Sequence, residues 1–119
     1  MNIKYGFPQN FPENLLQNGV DLKKIGIYNF AWGFADVITT IEFLTDQGFI
    51  ILGGDVFSLD GENIESIGDG WYFENKYDKE KTAITESKKK AISYIKKYKT
   101  RNLGETYLYS IVFKDFSRN

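Results

Sequence analysis

The stretch Phe49-Ile50-Ile51-Leu52-Gly53-Gly54-Asp55-Val56-Phe57 decides how the rest of the chain is read. Four large apolar residues in succession predict a strand buried on both faces. Gly53 and Gly54 then interrupt it. Glycine inside a strand costs conformational entropy and leaves nothing to pack, so a pair marks a bulge or a close backbone approach. Asp55 follows at once, and a carboxylate beside a buried strand needs water, a hydrogen-bond donor or a cation. Val56 and Phe57 resume the strand. The other elements either cover this strand or pair with it.

Downstream, Leu59-Asp60-Gly61-Glu62 carries the Asp-Gly signal of a two-residue hairpin. That turn is expected to pair Leu59 with Glu62 and Phe57 with Ile64. A second Asp-Gly, Asp69-Gly70, separates Ile67-Gly68 from Trp71-Tyr72-Phe73. The economical expectation is a three-stranded antiparallel meander over residues 49–59, 62–68 and 71–75.

Upstream, Phe34, Val37, Ile38, Ile41 and Leu44 or Phe43 recur at helical spacing, and Gly48 ends the pattern. A helix over residues 34–46 should therefore pack on the central strand. Residues 11–19 predict a short helix, with Pro12 in its first turn and Gly19 as a left-handed stop. Residues 1–10 read as an irregular arm. Residues 20–32 mix Ile25, Ile27, Phe30 and Trp32 with Gly26 and Asn29, and admit either a short strand or an extended connection.

A second helix is expected over 82–99, with Ile84, Ala91, Ile92, Ile95 and Tyr98 as its apolar stripe. Residues 106–113 alternate as a last strand: Tyr107, Tyr109, Ile111 and Phe113 on one face, Leu108 and Val112 on the other. This strand is placed beside the central one. The fold class is α+β: an antiparallel sheet of about four strands, meander plus C-terminal strand, packed with two main helices. One domain spans 1–119, with 1–24 as an irregular arm carrying the short helix.

The composition supports a folded globule, with a 42% hydrophobic and 17% aromatic share over 119 residues. Some of the twenty aromatics should reach the surface, where Tyr and Trp suit partner contact. Cysteine and histidine are absent, which excludes disulfides, Cys/His zinc sites, cysteine nucleophiles and histidine acid–base chemistry. The N-terminus shows no signal peptide, and no apolar run is long enough to span a membrane. The reading is a soluble, cytoplasmic protein.

Net charge is −1 but unevenly spread. Residues 55–80 sum to −6 and residues 81–101 to +7. The two segments can face water or each other, or steer a charged partner. The lysine-rich second helix invites a nucleic-acid reading, yet its bases lie outside its apolar stripe and the whole chain is slightly acidic. A solvated charged face is favoured.

Three readings meet at Gly53-Gly54-Asp55: a structural bulge, which is favoured, a surface for a protein partner, and a catalytic carboxylate. The triplet resembles the Gly-Gly-Asp-Glu-Phe hairpin of diguanylate cyclases, but Val56 stands where that motif has Glu, and the match is rejected. The acids of 55–80 include hard oxygen ligands, but no calcium-loop spacing is present, so neither metal nor cofactor is assigned. A carboxylate pair for glycoside hydrolysis would need two acids facing across a cleft. The partner reading gathers Asp55, Asp60, Asp69, Trp71, Tyr72 and Glu74, where acids, tight turns and aromatics coincide.

The order Ala31-Trp32, an amphipathic helix to Gly48, Ile51-Leu52-Gly53-Gly54-Asp55-Val56-Phe57, Trp71-Tyr72, a lysine-bearing helix and a final aromatic strand resembles the immunity-40 family. These are small α+β immunity proteins of bacterial polymorphic toxin systems. The resemblance runs over about residues 25–114, and Leu52-Gly53-Gly54-Asp55-Val56 is its most specific part. It implies a non-enzymatic inhibitor that binds a cognate toxin domain, with no membrane partner. Many such toxins are nucleases with basic clefts, so an acidic inhibitor face would gain fast association. The alternatives are a small carboxylate-dependent hydrolase and, last, a nucleic-acid-binding module.

Overall fold

The protein is described by a computed structural model over residues 5–116; the first four residues of the expected arm lie outside the described residues. In chain order the elements are α1 (Glu13–Asn18), β1 (Val20–Asp21), a 3₁₀ turn (Leu22–Ile25), β2 (Phe30–Trp32), α2 (Phe34–Asp46), β3 (Phe49–Asp60), β4 (Asn63–Tyr72), α3 (Glu80–Arg101) and β5 (Tyr107–Asp115). The strands form one antiparallel sheet in the order β1-β2-β5-β3-β4. The α+β class, the two main helices and the place of β5 beside β3 are as expected. The sheet has five strands, where about four were expected. Residues 20–32 add two short strands, which pair Val20 with Ala31 and Asp21 with Phe30, while the expected second and third strands of the meander are one, β4.

The turn of the β3–β4 hairpin lies one residue later than expected, which moves each partner by two. Asp60 pairs with Asn63 and Leu59 with Ile64, leaving Gly61-Glu62 as the loop. Gly61 takes φ +61°, and Glu62 stays at negative φ. A primed hairpin turn with glycine first satisfies the strand twist, so glycine leads the loop. The expected second turn at Asp69-Gly70 does not form, and β4 runs straight through both residues. Gly68, at φ +82°, takes up the irregularity. Asp55 pairs with Gly70 and Phe57 with Ser66, so Ile67, Gly68 and Asp69 together stand opposite Val56. A bulge, rather than a turn, thus divides the segment.

The glycine pair in β3 solves two problems of space. A Cβ on Gly53 would lie 2.5 Å from the Trp71 carbonyl oxygen. One on Gly54 would lie 2.3 Å from both the Trp71 ring and the Ser110 carbonyl oxygen. No side chain fits at either position, so β4 can approach and Trp71 can lie flat over β3. Gly19 has a similar role. Its φ of −75° is extended, so the expected left-handed stop is absent. Instead, a Cβ there would come within 2.7 Å of Trp32 Nε1, which donates a 2.7 Å hydrogen bond to the Leu15 carbonyl.

Helices α2 and α3 cover one face of the sheet over Val37, Ile41, Leu44, Ile51, Val56, Ile95, Tyr109 and Ile111. Burying these side chains supplies most of the driving force for folding. The arm contributes to the same core, since Phe7, Phe11 and Leu15 are almost fully buried. The stripe of α3 is Ala83, Ser87, Ala91, Ile95 and Tyr98, with Ile84 and Ile92 only half-buried at its flanks. Small residues let the helix approach β3 closely. Ser87 Oγ accepts the Ile51 N–H at 3.0 Å and donates to the Ile84 carbonyl at 2.9 Å.

Candidate functional site

Alternate residues of a strand face opposite sides of the sheet. Val56 pairs with Tyr109 under the helices, so Asp55, paired with Ser110, and Phe57, paired with Leu108, point to the other face. That second face is covered at two places. Leu22 of the 3₁₀ turn seals Ala31, Phe57, Ile64 and Leu108. Phe73 packs on Ile50 and Ala83 beyond the end of β4. Between them lies a window outside those clusters, in which Asp55, Gly70, Tyr72 and Val112 are exposed while Gly53 and Ser110 are buried. One row across it reads Tyr72, Gly53, Val112; the next reads Gly70, Asp55, Ser110. Tyr72 is 70% exposed and Val112 47%.

The six residues gathered from the sequence fall in different places. Asp55 and Tyr72 share that window, and both are exposed. Asp60 stands at the hairpin tip, and Glu74 lies exposed just after β4. Asp69 and Trp71, on either side of Gly70, face α3. Asp69 Oδ2 accepts a 2.8 Å hydrogen bond from the Tyr98 hydroxyl. Burial, and then this bond, push the Tyr98 hydroxyl above its ordinary pKa. The Trp71 ring lies 5.1 Å from that of Tyr94, and its buried indole N–H has no hydrogen-bond partner. Val112 escaped the partner reading, although the alternation in β5 already set it on the face away from Tyr109.

The hairpin is electrostatically one-sided. Residues 49–75 contain six acids (Asp55, Asp60, Glu62, Glu65, Asp69 and Glu74) and no base. Among the described residues none of the six is in an ion pair; the one salt bridge joins Lys89 and Glu86 at 3.3 Å within α3. Two lysines do reach the hairpin, but both donate to main-chain carbonyls, Lys90 to Tyr72 and Lys24 to Glu62. The bases of α3 crowd its solvent side, where Lys89, Lys96, Lys97, Lys99 and Arg101 are exposed. Among the described residues no three carboxylates come together to hold a metal ion, and no helix is long and apolar enough to cross a membrane.

Residues 21–113 match the family of immunity protein 40. The chain belongs to the immunity protein 40 family. The match opens in β1 and closes in β5, so it takes in all of the sheet but Val20, Lys114 and Asp115, with both main helices, the glycine pair and the bulged β4. Phe7, Phe11 and Leu15 lie outside it yet complete the core of this immunity protein. No curated protein and no solved structure matches the chain.

Proposed function

We propose that this immunity protein acts without catalysis, in the cytoplasm, by binding a cognate toxin domain and blocking it through the acidic β3–β4 hairpin. Family membership supports the immunity role. The observation that carries the surface is the run of six carboxylates with no base between residues 49 and 75 and no ion pair. Such a surface repels itself and anions, and it attracts a basic partner from beyond contact distance. A nuclease toxin, whose cleft is basic to hold nucleic acid, has the complementary surface.

Co-expression with the toxin domain encoded beside this chain tests the role. Cells should survive, and the purified proteins should co-elute. Killing that continues with both proteins folded and no complex formed refutes the role. Within a complex, reversing charge at Asp60, Glu65, Asp69 and Glu74 should slow association by about tenfold and flatten its dependence on salt. Unchanged rates would exclude the hairpin as the docking surface.

A further inference from the structure

Asp55 and Tyr72 are diagonal neighbours on this window of the sheet, and across the β3–β4 ladder each faces a glycine. Asp55 faces Gly70, and Tyr72 faces Gly53. Neither glycine can carry a side chain. A Cβ on Gly70 would lie 2.4 Å from the Gly54 carbonyl oxygen, and one on Gly53 would lie 2.5 Å from that of Trp71. No side chain therefore stands on β3 or β4 between carboxylate and ring, with Gly70 exposed and Gly53 buried between its neighbours, and diagonal cross-strand positions stand about 7–8 Å apart. Val112 closes the far side of Gly53.

We infer that this window receives an arginine side chain of the toxin, with the guanidinium on the Tyr72 ring and against the Asp55 carboxylate. The assignment rests on the immunity reading and narrows it to a residue type. Three observations select the occupant. The surrounding hairpin is acidic and unpaired, which favours a cation. A ring left 70% exposed offers its face to that cation. A planar fork can meet ring and carboxylate together, which an ammonium point charge does less well. The chain's own bases leave the place open: Lys90 is bound to the Tyr72 carbonyl, and Lys114 stands farther along β5, opposite Ile50. Neither is in an ion pair with Asp55. Trp71, by contrast, is spoken for by Gly54 and Tyr94 and belongs to the fold.

The test measures affinity of the purified toxin domain encoded beside this chain for the wild type, Asp55→Asn, Tyr72→Ala, Tyr72→Phe and the Asp55→Asn/Tyr72→Ala double variant. Both side chains are exposed, so the variants should melt with the wild type, and that is checked first. Asp55→Asn and Tyr72→Ala should each weaken binding by about tenfold or more, Tyr72→Phe should bind as the wild type, and the double variant should lose less than the product of the two. Asp55→Asn should also reduce the salt dependence. Binding by the wild type with both single variants unchanged overturns the arginine site and leaves the immunity role standing. Independent losses that multiply in the double variant overturn the shared occupant. Failure of the wild type itself to bind removes both.

Discussion

The Tyr98 hydroxyl donates a 2.8 Å hydrogen bond to Asp69 Oδ2, joining the C-terminal half of α3 to the bulge of β4. Tyr98 is buried and its ring meets Tyr107 and Tyr109 edge-on. Tyr98→Phe keeps that packing and removes only the bond. It should cost about 1 kcal/mol in urea denaturation, since Asp69 is exposed and regains water.

The same tyrosine sets a pH dependence. Its hydroxyl titrates higher in the folded protein than its ordinary value of 10.0, because burial and the Asp69 bond disfavour the phenolate. Its contribution is therefore complete below pH 10.0 and declines as the pH climbs above that value, where the unfolded chain ionises first. Tyr5, Tyr94 and Tyr109 are raised too and add to the decline. Tyr98→Phe should lose stability less steeply than the wild type over alkaline pH. Parallel curves would show that Tyr98 does not titrate as described.

Gly54 and Gly61 should separate two uses of glycine. Gly54→Ala drives a methyl into the Trp71 ring and the Ser110 carbonyl, and should cost about 3 kcal/mol or prevent folding. Gly61→Ala meets nothing within 4 Å and bears only the strain of its positive φ, about 1 kcal/mol. Chemical denaturation of both variants checks the order.

Gly19→Ala should break the bond from Trp32 Nε1 to Leu15 by pushing the indole away from α1. A loss of about 2 kcal/mol and a red shift of the emission from this buried tryptophan are expected. Unchanged emission would mean that the arm, rather than Trp32, gives way.

Ser87→Ala leaves the buried Ile51 N–H without its acceptor. The loss should be about 1–3 kcal/mol. Hydrogen exchange at the Ile51 amide should speed up well beyond that at other β3 amides. Uniform acceleration along β3 would point to a general loosening.

Much of this protein could be read from periodicity. The 3.6-residue spacing of Phe34, Val37, Ile41 and Leu44 placed α2 at its observed bounds, and alternation in Tyr107-Leu108-Tyr109 assigned both faces of β5. Gly53-Gly54 announced a close backbone approach. These are local signals, because burial of one face imposes its period on the residues themselves. What failed was the reading of Gly19 as a left-handed stop and of Asp69-Gly70 as a turn. Asp69-Gly70 has the composition of a hairpin turn, and only the pairing of β4 with β3 along its length shows a bulge instead. Gly19 was needed for the width of Trp32, thirteen positions away in sequence and adjacent only in space. The candidate site divides in the same way. Its acids and aromatics are plain in the composition, and alternation already sets Tyr72 apart from Trp71, whereas their neighbours across the ladder depend on the pairing of β4 with β3. The bulge puts two extra residues into β4, which keeps the alternation of faces on either side of it, so the tertiary pairing decided something else: that Tyr72 stands diagonal to Asp55, and Trp71 over Gly54.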